Sequence, residues 1–320
     1  MDPITWREAW HTALYAAGLG FYVTRGGPSA HFTTATHGVT GAVLADALLR
    51  LWGRSHEEPP KVVVDLGAGR GELLTHLRSV ESAVGVDVVD RPEGLDPRIG
   101  WIRSPGGALL PHELDGLEDA LVIAHEWLDV VPCTIAEVDD RGRLREVLVD
   151  PATGEEQLGD DVNQQDAEWA AAQWPDAGPG ERVEVGRTRD AAWADLVSRV
   201  DSGLLVAIDY GHLRTNRPRA GSLTAYRAGT LVTPVPDGSC DLTAHVAMDS
   251  LDADELLRQR AVLRGLGARA IGPEHARASD DPIAYLRALE RASAEAELIR
   301  PGGFGDFWWA VKHIRPSDVP

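Results

Sequence analysis

The chain has 320 residues, 43% hydrophobic and 25% charged, enough for one large core or a core carrying an insertion. A formal net charge of −19 disfavours nucleic acid and anionic membranes and suits a cationic ligand or a basic protein partner, with a role in solubility alone as the alternative. No apolar run could span a bilayer, the start MDPITWREAW lacks the marks of a signal peptide, and Cys133 and Cys240 have no zinc or disulfide spacing. The expectation is a cytoplasmic protein without a metal, its positive charge carried by arginine, since Lys61 and Lys312 are the only lysines.

In chain order, Trp6, Trp10, Ala13, Leu14 and Ala17 fall on one helical stripe that ends at Gly18 and Gly20. The segment TRGGPSAHFTTATHG reads as a loop, and Val39, Val43, Leu44, Ala47, Leu48 and Leu51 predict a second helix. KVVVDL is the first buried strand. LLTHLRSV follows as a helix, then AVGVD and ALVIA as strands. CTIAEVDD and GRLREVLVD alternate around D-D-R-G and predict a hairpin. Residues 150–180 read as a polar surface excursion, AAWADLVSRV as a helix, GLLVAIDYG as a buried strand and 211–240 as loop. Helices are expected near 253–266 and 282–299, with FWWAVKHI as a last strand whose Trp308 and Trp309 enter the core. Alternating strands and helices predict a mostly parallel sheet covered on both faces, with ligands at the carboxyl ends of its strands.

The stretch KVVVDLGAGRGE sits at such an end. It lacks the lysine and hydroxyl residue of a phosphate-binding P-loop. Its glycines, Gly67, Gly69 and Gly71, are spaced GxGxG rather than GxGxxG, and Glu72 stands where a dinucleotide site needs glycine and where a carboxylate would oppose pyrophosphate. S-adenosylmethionine (SAM) carries a sulfonium and an ammonium and no phosphate. Asp65, just before the turn, favours such a cation, and Asp87, ending the next strand, suits a ribose. A bare strand-to-helix turn is the alternative for the glycines.

Beyond the glycine turn, several motifs stand in one order along nearly the whole chain: ALYAAGLGFYV, SAHFTTATHG, VVVDLGAGRGELL, IAHEWLDVVP, AIDYG, SLTAY and CDLTAHV. In these the chain resembles the MidA family of SAM-dependent methyltransferases, relatives of the mitochondrial arginine methyltransferase that assists complex I assembly. The resemblance implies a class I methyltransferase (Rossmann-like) fold. Residues 1–60 would form an N-terminal helical cap with a cofactor-side loop. Residues 61–320 would form the methyltransferase domain, with the hairpin and insertion at 131–180 and a substrate-side loop at 211–250. It further implies that Asp65, Gly67, Gly69 and Gly71 line the SAM pocket, that Asp87 holds the ribose, and that Phe32, Thr33 and Thr34 approach from the N-terminal side. The chain departs from the family pattern with His31, His37, His125 and Ala247, all expected on the substrate side.

An arginine acceptor must be clamped and relieved of a proton, which carboxylates do well. Glu126 and Asp129 are the candidates, with helix capping as the alternative for each. His125 is a candidate base near neutral pKa or a structural histidine, and His245 a candidate site contact or a core histidine. Asp209 and Tyr210 would border the acceptor, with anchoring of the following loop as the alternative for Asp209, and Asp241 reads as a helix N-cap. The leading expectation is methyl transfer from SAM to arginine in a basic protein partner, with no nucleic acid or membrane and a homodimer left open. The alternatives are a small-molecule methyltransferase, a SAM-binding assembly module without turnover and, further off, a NAD-linked oxidoreductase.

Overall fold

A computed structural model describes residues 2–24, 35–77 and 80–316. Strand β1 (Ile4–Thr5) leads into helix α1 (Trp6–Tyr15), capped by the Thr5 hydroxyl, which accepts the Glu8 amide at 3.2 Å. Trp6, Ala9, Trp10, Ala13 and Leu14 are its buried stripe, while Ala17 lies past the end and is exposed. The short α2 (Phe21–Thr24) and the apolar α3 (Gly38–Trp52) precede β2 (Val62–Leu66). Then come β3 (Ser82–Asp87), β4 (Ile99–Arg103), β5 (Ala120–His125) and the hairpin β6 (Thr134–Val138) with β7 (Leu144–Val149).

Next in order are β8 (Glu156–Asp161), α4 (Gln164–Gln173), β9 (Arg182–Val185), α5 (Arg187–Ser198) and β10 (Gly203–Asp209). Five short strands follow: β11 (Gly211–His212), β12 (Thr224–Arg227), β13 (Thr230–Val232), β14 (Asp241–Thr243) and β15 (Val246–Ala247). The chain closes with β16 (Glu255–Arg258), α6 (Gln259–Gly265), α7 (Arg277–Asp280), α8 (Pro282–Ile299) and β17 (Trp308–Ile314).

The main sheet has the order β16-β17-β10-β5-β2-β3-β4. The strands from β10 to β4 are parallel neighbours, whereas β17 runs antiparallel to β10 and β16 antiparallel to β17. Successive residues of β2 and β10 serve opposite faces. Val63, Leu204 and Val206 pack with Leu44 and Leu48 of α3 and Trp309; Val64 and Leu205 pack with Trp193 and Leu196 of α5. A second, wholly antiparallel sheet joins β1, β7, β6 and β9, with β8 on β7. Trp6 and Trp10 share a core with Ile135 and Val149 of that sheet and with Leu242. The sheets are therefore mixed rather than mostly parallel, because an apolar run such as FWWAVKHI carries no mark of its direction.

Local expectations fail where pairing overrides pattern. Residues 255–258 are strand, not helix, since they cover the edge of β17 with Leu257 opposite Trp309, and helix begins only at Gln259. After the glycine turn, the described part of LLTHLRSV is a single 3₁₀ turn, Leu74–His76. The 150–180 excursion carries β8 and α4, which is capped by Asn163 accepting the Asp166 amide at 2.9 Å. The expected loop at 211–240 carries β11, β12 and β13. Asp241 opens a strand and caps no helix. Among the described residues, no helix is long and apolar enough to cross a membrane.

Candidate functional site

Parallel registers bring the carboxyl ends of β2, β3, β5 and β10 to one edge, with Leu66 beside both Val86 and Ala124, and His125 beside Ile208. β3 and β4 lie to one side of β2, β5 and β10 to the other, so a crevice opens above β2. It holds a cleft of about 360 Å³. Gly67 (φ +74°) and Gly69 (φ +60°) form its floor in the left-handed region that side chains avoid. The Gly69 amide donates to Asp87 Oδ2 at 2.8 Å and the Val89 amide to Oδ1 at 3.3 Å, so one carboxylate ties the turn to the end of β3. Burial pushes Asp87 up to about 6 against these bonds. Asp65 is pushed up to about 8, by burial first and then by Asp87 and Glu72. Glu72 Oε2 accepts the Arg70 amide at 2.9 Å, and its Oε1 stands 3.4 Å from His37 Nε2.

At the other end, β5 stops at His125 and Glu126 takes a left-handed backbone (φ +51°), its amide donating to Ile208 O at 2.8 Å. A non-glycine residue in this conformation is uncommon and collects at functional sites. Burial, then Asp129 and Asp241, raise Glu126 to about 8. One oxygen of Asp129 accepts the hydroxyls of Tyr210 and Thr243, the latter at 2.6 Å, while its buried Oδ1 has no protein hydrogen-bond partner. Tyr22 donates its hydroxyl to Asp241 Oδ1 at 2.6 Å, and burial raises Asp241 to about 7. Burial lowers His245, and lowers His125 to about 4.

Of the residues singled out in the sequence, Asp65, Gly67, Gly69, Asp87, His125, Glu126, Asp129, Tyr210 and His245 line this cleft. Two do not. Gly71 faces Leu95, whose Cδ1 would lie 2.8 Å from an added Cβ. Asp209 is fully buried and accepts the amides of Leu128 (3.1 Å) and Asp129 (3.2 Å), a role that supports the loop rather than the acceptor. Phe32, Thr33 and Thr34, with His31, lie outside the described residues. No helix follows β5, which removes capping as the reason for Glu126 and Asp129. His125 is neutral at physiological pH and far from the near-neutral pKa expected of it. Sequence reasoning missed Tyr15 and Tyr22 from the N-terminal helices, and Thr243 and Tyr226. The motifs ALYAAGLGFYV, CDLTAHV and SLTAY contain all four, and that signal was there to be used.

The lining includes six carboxyls, those of Asp65, Glu72, Asp87, Glu126, Asp129 and Asp241, and among the described residues no lysine or arginine. Such a cleft suits a sulfonium and ammonium ligand and would repel a pyrophosphate. With the glycine floor and the Asp65 and Asp87 carboxyls beside it, the residues present fit SAM. Fold and site together define a class I methyltransferase. The family described as "Putative S-adenosyl-L-methionine-dependent methyltransferase" matches residues 94–266, just over half of the chain. The chain belongs to this family, in agreement with its MidA-like motifs, and SAM is its methyl donor. A crystal structure from Burkholderia thailandensis with S-adenosyl-homocysteine bound superposes with a TM-score of 0.75 at 22% identity, over 99% of this chain and 89% of that one. A native structure of an uncharacterized protein from the same organism gives 0.72 at 24% identity, over 99% and 88%. Both likenesses concern the fold. No curated protein matches the sequence.

Proposed function

We propose that the acceptor is the guanidinium of an arginine side chain in a protein. The observation that carries this reading is an acid cluster beyond β5: Asp129 and Asp241 both act on Glu126, Tyr210 donates to Asp129, and all four line the cleft together with Tyr226 and Phe304. Carboxylates pair with a guanidinium through two parallel bonds, and aromatic rings stack on its plane. The chain's net charge of −19 favours a basic partner.

SAM, held at Asp65, Gly67, Gly69 and Asp87, would supply an electrophilic methyl whose leaving group is a neutral thioether. The chain's own residues align the acceptor and manage its proton. Glu126 clamps the guanidinium and aims one nitrogen along the cleft. As the N–C bond forms, that nitrogen gives up a proton to the Glu126 carboxylate; burial raises this carboxyl to about 8 in the empty cleft, and the charge of a bound guanidinium favours its ionised form. Tyr210 and Thr243, bonded to one Asp129 oxygen, leave the other free for the acceptor.

The test is labelling of a cell extract with methyl-tritiated SAM and the purified protein, followed by hydrolysis and amino-acid analysis. Tritiated methylarginine in the protein fraction, absent with Glu126→Gln, is the expected result. Label confined to small molecules would replace the protein acceptor with a soluble one.

A further inference from the structure

Arg189 belongs to α5, away from the strand ends that form the cleft, yet its buried guanidinium reaches the loop behind the acids. Nε donates to Val131 O at 3.0 Å, Nη2 to Asp129 O at 2.8 Å and Nη1 to His245 O at 2.9 Å. Its Cζ stands 5.5 Å from the ring centre of Trp10 in α1, whose indole N–H donates to Leu242 O at 3.1 Å. The neighbouring Thr188 hydroxyl donates to Pro132 O at 2.7 Å, and the Ala244 amide to Asp129 O at 3.2 Å. One side chain thus joins the loop after β5, the turn between β14 and β15, and the helix that supplies Tyr15.

A planar cation with all its bonds on main-chain carbonyls fixes geometry more strictly than a lysine could. It also places a positive charge among acids taken out of water, a costly arrangement for either sign alone. We propose that Arg189 is a positioning residue of methyl transfer: it clamps the acidic loop to the 244–245 turn and supplies the buried positive charge against which the Asp129 carboxylate is held. The proposal rests on the reading of that loop as the acceptor's receptor.

Burial raises Asp129, and the hydroxyls of Thr243 and Tyr210 and the Arg189 charge oppose the rise. From β5 and its loop it is faced by Glu126, from β10 by Asp209, and from β14 by Asp241. Tyr15 and Tyr22 face it from the N-terminal helices, and His245 from the turn. Among the described residues facing Asp129, only Arg189 carries a fixed positive charge.

The experiment is a carbon-13 titration of the aspartate carboxyls in the full chain, with Asp129→Asn to assign the resonance, joined to amide hydrogen exchange. In Arg189→Met the Asp129 midpoint should move up by about one pH unit or more, and in Arg189→Lys, which keeps the charge, by less than about half a unit. Exchange of the Ala244 amide should quicken at least about tenfold in Arg189→Lys, which loses the fork. A folded Arg189→Met with an unmoved midpoint overturns the electrostatic role. Should that variant not fold, the Arg189→Lys midpoint decides this half, and a rise as large as that expected for Arg189→Met overturns it. Unchanged Ala244 exchange in Arg189→Lys overturns the clamp. Neither readout needs an acceptor, so failure here is separable from failure of the labelling experiment.

Discussion

Asp209 and Asp129 are two carboxyls of one scaffold: Asp209 Oδ2 accepts the main-chain amide of Asp129 at 3.2 Å and that of Leu128 at 3.1 Å. Burial first, then Asp129 and Glu126, raise Asp209 well above the usual carboxylate range. Its work is to accept two amides, which a neutral amide oxygen does equally well. Asp209→Asn should keep SAM affinity and turnover within about threefold of wild type, while Asp209→Ala, leaving those amides unpaired, should cost about 1–3 kcal/mol of stability. A hundredfold loss of turnover in a normally stable Asp209→Asn would instead put the carboxyl on the acceptor.

Asp87 accepts the Gly69 amide at 2.8 Å and so shapes the cofactor turn as well as charging it. A hydrogen bond to an ionised group contributes about 1.5–3 kcal/mol. Asp87→Ala should therefore weaken SAM binding by about tenfold to a hundredfold in calorimetric titration. An unchanged affinity would remove Asp87 from the cofactor site.

Glu126 combines a left-handed backbone with a buried carboxyl oxygen whose nearest partner is His125 Nδ1, 3.5 Å away. Both features cost stability. Glu126→Gly relieves both and should raise the thermal midpoint, by an amount corresponding to about 1–2 kcal/mol, while abolishing turnover. Glu126→Gln, which keeps the strain and the volume, should lower turnover at least about a hundredfold and leave SAM affinity within about threefold. A glycine variant that melts earlier than wild type would mean the carboxyl holds the loop together instead.

Strands β2, β3, β5 and β10, with helices α3 and α5, were legible because long apolar runs bounded by glycine and aspartate leave few alternatives. The residues at their carboxyl ends were legible for the same reason, since strand ends in such sheets meet at one edge. What stayed hidden depends on pairing partners. β16 is helical by pattern and becomes strand only because β17 offers an edge. Asp209 looked like a cleft residue because it ends a strand, but alternation along β10 turns its side chain under the loop. Arg189 left no sequence signal, for its partners are carbonyls 56 to 60 residues away.

The buried acids also make stability depend on pH in an unusual direction. Asp65 and Glu126 titrate near 8 and Asp241 near 7 in the folded chain, against about 4 when unfolded. Between those limits the folded state binds more protons than the unfolded one, so stability falls as pH rises. His125 and His212, lowered to about 4 and about 3, act oppositely, since folding is opposed while the unfolded histidines are protonated. Their effect ends near the unfolded histidine value of about 6.5. From pH 6.5 to 8.5 only the acids remain, and the thermal midpoint of the ligand-free protein should drop steadily across that window. SAM brings positive charge to the same acids, so its affinity should rise over the same interval. A midpoint that climbs between pH 6.5 and 8.5 would mean that these carboxyls are already ionised at neutral pH, and Glu126 would then be a charge clamp from the outset.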